Sequence, residues 1–187
     1  MGFLMGAYGK NVSTYNYNIK QRDMTRIDVK VKKVSRQITQ VTKQVNKSKQ
    51  TALNNLLLQK NGAMQQMDSV IEQAMGSENF AKIKNGSINA SSTGADANLY
   101  TQYTQLVNQY KVQVETMYNT AKDNIENYYE DLQNAMLEPL NQEETMLKAD
   151  LDNLQREITL EENSRKAFED MEKKGIELLK PNYNGLA

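Results

Sequence analysis

The sequence predicts an all-α protein: a long antiparallel helical hairpin, coiled-coil-like, with a small loop or β-hairpin at its tip and a proline-kinked second helix. Three observations predict it. Apolar residues recur at steps of three and four along two long stretches. Between them, residues 76–97 ("GSENFAKIKNGSINASSTGADA") are small and polar. Only two prolines and nine glycines occur in 187 residues, so long uninterrupted helices are allowed.

The chain opens on an apolar segment, 1–12, containing Phe3, Leu4, Met5 and Tyr8. A free apolar end would be sticky, so these four are expected to pack between subunits. The first long helix is placed at 13–75, with Val12, Tyr15 and Ile19 continuing its apolar pattern at the start. Its clearest stretch is "MTRIDVKVKKVSRQITQVTKQV", residues 24–45. Ile27, Val29 and Val31 alternate briefly, as in a strand. The longer series Met24, Ile27, Val31, Val34, Ile38, Val41, Val45 steps 3-4-3-4-3-4 and decides for helix. β-branched residues cost a helix a few tenths of a kcal/mol each. Burial, at about 1.5–3 kcal/mol per side chain, outweighs that. These seven residues are read as the assembly seam. β-branched side chains at both core positions favour more than two helices. Val29 falls off the seam, as do Leu58, Met146 and Leu160, which a lone hairpin would leave in water.

Gly62 is a weak point in the first helix, and Gly76 a natural C-cap. In the tip, Asn85-Gly86 suits a type I′ turn that pairs Ile83 with Ile88 in a short β-hairpin. Ser91, Ser92 and Thr93 are read with Asn85 and Gly86 as exposed tip residues. Asp96 suits an N-cap. The second helix is placed at 97–180. Tyr103, Val107, Tyr110, Val114, Met117 and Ala121 carry its first half, then Ile125, Tyr128, Leu132 and Ala135. Leu140, Leu147, Leu151, Leu154 and Ile158 carry its second, with Phe168, Met171, Ile176 and Leu179 beyond. Pro139 predicts a kink or break at 136–140, leaving open one kinked rod or two helices. Pro181 closes the helix and 181–187 is a tail. At 1.5 Å per residue the two helices run roughly 95 and 125 Å.

The net charge of zero hides a segregation. Residues 1–75 carry nine Lys and three Arg against four acids, a net of +8; residues 98–180 carry nine basic against seventeen acidic residues, a net of −8. Arg26, Lys32, Lys33, Arg36, Lys43 and Lys47 line the back of the first helix. This basic face is expected to meet the acidic second helix of a neighbouring copy, and nucleic acid is not expected as a partner because the charge is matched within the molecule.

No cysteine, histidine or tryptophan is present. That removes thiol nucleophiles, imidazole bases and the usual zinc ligands. Acid pairs such as Asp150/Asp152 and Glu161/Glu162 lie along an amphipathic helix and are read as a solvated face. No catalytic, cofactor-binding or metal-binding residues are assigned, and no cofactor is expected. No stretch approaches the roughly 20 apolar residues that span a bilayer, and membrane contact is not expected.

This layout resembles the bacterial axial proteins, flagellin and the subunits of type III secretion filaments and needles. The likeness lies in the apolar start "MGFLMGAYG", a long N-terminal helix, a tip excursion at 76–97, a long C-terminal helix and the lack of cysteine. It is one of organisation: no flagellin signature stretch is present, and Pro139 departs from the pattern. The resemblance implies terminal helices packed into a shaft and an outward tip. The expected function is accordingly a structural, non-enzymatic subunit that polymerises with itself into a filament or tube. It would be exported without a cleaved signal peptide to the cell surface or beyond. The competing reading is a coiled-coil adaptor or secreted helical effector that binds another protein, with a cytoplasmic location as the alternative.

Overall fold

A computed structural model of the chain describes residues 2–179. The protein is an all-α helical hairpin. Its elements are α1 (Gly2–Gln65), α2 (Met67–Met75), α3 (Ser77–Lys84) and α4 (Ala95–Leu179). No strand occurs among the described residues. Pro181 and the tail lie outside the described residues. The described residues form two compact units, one of residues 2–41 with 136–179 and the other of residues 42–135.

The first unit pairs the start of α1 with the end of α4. Helix begins at Gly2, which corrects the boundary expected at 13: the apolar segment is the first three turns of α1. Its inner face is built from small residues. A β-carbon at Gly6 would lie 2.6 Å from the Glu172 amide nitrogen, and one at Gly175 would lie 2.6 Å from the Phe3 nitrogen. Gly9 faces the Phe168 ring, 2.5 Å from the same notional carbon. Glycines at these places let the two helix backbones approach more closely than side chains would allow. Further along, Val34 and Ile158 are buried. Leu140, Leu147, Leu151 and Leu154 are half-buried in the seam, as expected.

α4 is a single helix and passes through Pro139, which decides the open alternative for one rod over two helices. Proline there removes one hydrogen bond, but it lies on the exposed side, while Leu137 and Leu140 are half-buried. Seam burial on both flanks keeps the helix going.

The second unit holds the densest core. Ile71, Met75, Ile83 and Ile88 are buried together, and Phe80, Leu99, Tyr103 and Leu106 pack around them. The expected β-hairpin is therefore corrected to a helix. "SENFAKIK" has Glu78 in its first turn and Lys82 and Lys84 in its last, which suits the helix dipole, and Lys82 bonds Glu78 at 2.7 Å. A type I′ turn needs positive φ at both central residues. Asn85 has φ −85° and only Gly86, at +82°, is left-handed. Asn85 and Gly86 thus end α3: the Gly86 and Ile88 amides donate to the carbonyls of Ile83 and Lys82. Ile83 and Ile88 do share a core, but not across a sheet.

Gly76 caps α2 at φ 82°, its amide donating to the Glu72 carbonyl. Asp96 lies in the first turn of α4, behind Gly94 and Ala95, and is not its cap. The expected weak point at Gly62 appears four residues on. The Gln66 amide is shared between the Gly62 and Ala63 carbonyls, and the Tyr110 hydroxyl donates to the Ala63 carbonyl at 2.8 Å. Tyr110 thereby takes an acceptor that the interrupted ladder would otherwise leave short.

Candidate functional site

The seam residues lie as the spacing predicts. Val34 and Val45 are buried, and Met24, Ile27, Val31, Ile38 and Val41 half-buried. In the second unit, α4 turns Tyr118 and Tyr129 inward and leaves Met117 and Tyr128 exposed. The sequence spacing fits either set; Lys60 settles the first case by lying over the Tyr118 ring, 4.4 Å from its centroid. After Phe168 the apolar series of α4 turns outward, with Met171, Ile176 and Leu179 exposed.

The six basic-face residues are all exposed. Two have partners on their own helix: Arg26 with Asp23 at 3.3 Å and Lys32 with Asp28 at 2.6 Å. Among the described residues, Lys33, Arg36, Lys43 and Lys47 have no carboxylate within ion-pair distance. In the tip, Asn85 accepts from the Ser87 amide, and Ser92 accepts from the Asn89 amide. Ser92 is thus part of the turn, whereas Ser91 and Thr93 are exposed.

The N-terminal residues divide between two faces. Phe3 is half-buried with its backbone against Gly175, but Leu4, Met5 and Tyr8 point away from α4 and are 71, 64 and 74% exposed. Val12, Tyr15 and Ile19 continue on the same outer side, so the apolar pattern they extend runs along the face turned away from α4. Leu4, Tyr8, Val12, Tyr15 and Ile19 fall within one sector of roughly 80° at the standard helical rotation. The inner face at this level is polar instead. It is made of Gly6, Lys10, Ser13, Tyr17 and Lys20, all buried or half-buried.

Those inner polar groups meet three α4 carboxylates. Ser13, itself buried, donates to Glu161 at 3.0 Å, and Asn16 and Lys20 donate to the same carboxylate at 3.4 and 3.1 Å. Lys20 also reaches Glu157 at 3.4 Å, and Lys10 bonds Glu172 at 2.9 Å. Hydrogen bonding from Lys20, helped by Ser13, holds the Glu161 carboxyl below its usual range. The same bond raises the Lys20 ammonium above its own. The Glu161 contribution is therefore complete above the ordinary carboxylate pKa and lost as pH falls through the lowered value. The Lys20 contribution is complete below the ordinary lysine pKa and lost as pH rises through the raised one. The stability of this helix pair is expected to be flat from about pH 5 to 10 and to fall below about pH 4. Glu161→Gln should cost about 1 kcal/mol at neutral pH and shrink the acid limb. Denaturation midpoints against pH test this, and an unchanged acid limb in the variant would reject it.

Sequence reasoning missed Gly6, Gly9, Gly175 and this polar cluster. A signal existed: Gly6, Gly9 and Ser13 follow a 3-4 spacing of small residues along one helical stripe. Glu161 offered none, since its partners lie some 140 positions away.

In the second unit, a groove of about 240 Å³ runs between α1 and α4, lined by Leu56, Ala63, Val114, Met117, Tyr118 and Ala121. Its one charged group, Lys60, is paired with Glu115. Among the described residues, no cluster of acidic side chains could hold a metal ion, and no helix is long and apolar enough to cross a membrane.

Fold and surface together define an all-α hairpin protein whose most distinctive surface is an uncovered apolar stripe on α1. Comparison with protein-family models, curated proteins and solved structures finds no match.

Proposed function

We propose that this chain is a non-enzymatic structural subunit that assembles with copies of itself into a filament or tube, on or outside the cell. The observation that carries the reading is the uncovered apolar surface. Leu4, Met5, Tyr8 and Tyr15 on α1, with Met146 and Leu160 on α4, are each more than three-fifths exposed. Apolar patches of more than a few hundred Å² on a soluble chain mark contact surfaces. The second support is charge: a basic face on α1 with four residues unpaired among the described ones, and an acidic balance along α4. Opposite faces of this kind steer copies together and set their register. The organisation shared with bacterial axial proteins points the same way.

Electron microscopy and sedimentation across a concentration series test the proposal. Polymers are expected to appear above a critical concentration. A dispersed monomer at high concentration through salt and pH screens would overturn it. Reversing charge at Lys33, Arg36, Lys43 and Lys47 should raise the critical concentration by about tenfold at low salt, and by much less at 1 M salt, where the screening length is about 3 Å. No shift at either salt would remove the basic face from the contact.

A further inference from the structure

The outer stripe of α1 has a symmetry that bears on how two copies meet. Its apolar members are Leu4, Tyr8, Val12, Tyr15 and Ile19. Read backwards through a point between positions 11 and 12, Leu4 falls on Ile19, Tyr8 on Tyr15, and Val12 on Asn11. Like is set against like in size and chemistry at each end. We infer that this stripe is a two-fold contact, in which the first five turns of α1 pack antiparallel against the same turns of a second copy. The inference rests on the reading that the chain meets copies of itself, and specifies the geometry of one such contact.

Three further observations support a second copy as the occupant. First, an isologous contact places every residue opposite its own kind of surface, so a charged face would repel itself. Residues 2–19 contain one charged side chain, Lys10, and that one is bonded to Glu172 on the inner side. The outer face is thus free of charge over five turns, unlike the basic face that follows it. Second, the inner face of the same turns is already committed to α4 through Gly6, Gly9, Ser13 and Lys20, so the stripe is held on a fixed helix and, among the described residues, is left uncovered by its own unit. Third, the size is adequate. Tyr8 and Tyr15, at 74 and 67% exposure, with the three aliphatic residues, offer on the order of 500 Å² per copy, and about 1,000 Å² for the pair reaches the lower range of specific interfaces.

Cysteine scanning tests the geometry directly, because the protein has no cysteine of its own. Positions 8, 12 and 15 lie on the outer face, so substitution there removes no packed core atoms, and circular dichroism checks that helicity is kept. In the antiparallel arrangement, position 12 lies beside the two-fold axis. Positions 8 and 15 face each other, while position 8 is offset from its own copy by about 10 Å along the axis, too far for a disulfide, whose Cα atoms lie within about 7 Å.

The expected result is that Val12→Cys links to itself under mild oxidation. Tyr8→Cys mixed with Tyr15→Cys links about tenfold faster than either alone. Val29→Cys, exposed but off the stripe, reports random collision. Self-linking of Tyr8→Cys and of Tyr15→Cys at the rate of their mixture would indicate a parallel contact and overturn the inference. Polymers without any 8–15 link would also overturn it, while leaving the assembly reading in place. Linked dimers that never polymerise would do the reverse. Recruitment to vesicles of phosphatidylcholine and phosphatidylglycerol, without the link, would assign the stripe to a lipid surface and refute the two-fold contact.

Discussion

Gly6→Ala is expected to destabilise the first unit by about 2 kcal/mol, and Gly6→Val by more than about 3 kcal/mol, the range of overpacked cores. The sign is informative. In an open helix, glycine to alanine stabilises by about 0.8–1 kcal/mol, because glycine loses the most backbone freedom on folding. Gly62, also within α1 but with nothing within 4 Å of its notional β-carbon, should show that ordinary gain. At Gly6 the new carbon would meet the Glu172 amide nitrogen at 2.6 Å and the Phe168 carbonyl at 2.9 Å. Both are backbone atoms of α4 and cannot rotate away. The helices must separate, which also lengthens the Lys10–Glu172 and Ser13–Glu161 bonds. Hydrogen exchange should register lost protection over 2–20 and 160–179, with 67–107 unchanged. Gly175→Ala, which meets the Phe3 backbone from the other side, should behave alike. A rise in stability for Gly6→Ala, matching Gly62→Ala, would sink the close-packing argument.

The second large effect is expected in the tip. Ile71 is 2% exposed, the most completely buried side chain of the core it shares with Met75, Ile83 and Ile88. Ile71→Ala should cost about 2–5 kcal/mol, the sum of lost transfer energy and the cavity left behind. Leu58→Ala, an equal reduction at an exposed site, should stay within about 0.5 kcal/mol. The comparison separates a true core from a merely apolar stretch. Denaturant midpoints for each unit, followed by probes placed in 67–107 and in 2–20, give the measurement. Two units need not unfold in one step, so one global signal would blur the answer. Equal losses for Ile71→Ala and Leu58→Ala would show that no tip core exists.

Much of the fold was legible because the seam of α1 repeats faithfully. From Met24 to Val45 every apolar residue but Val29 lies on one face, and period alone places them. Legibility failed where burial is not made of apolar residues. In the first turns of α1 the inner face is glycine, serine and lysine, and the outer face carries leucine, tyrosine and valine. Periodicity finds the apolar set, and pattern alone would turn it toward α4. What reverses the assignment is the partner: Glu161 and Glu172 satisfy the polar groups, and the backbone of α4 fills the space above the glycines. Neither fact is local in sequence. The tip failed for a different reason. Asn-Gly serves equally as a hairpin turn and as a helix end, and the choice falls to whichever uses Ile83 and Ile88 better. Here a core shared with Ile71 and Met75 wins over a two-stranded ribbon, which is marginal in water on its own. The candidate surface itself, Leu4 to Ile19, was visible as residues and invisible as a face.

Pro139 bears on how α4 comes apart. Its ring supplies no amide hydrogen, so the Ala135 carbonyl has no donor four residues on. Both positions are exposed, and water can take the open acceptor. A helix of 85 residues therefore has one interior carbonyl without a helical donor. Melting of so long a helix would ordinarily start at its ends and travel inward; here it has a third starting point, from which fraying spreads both ways.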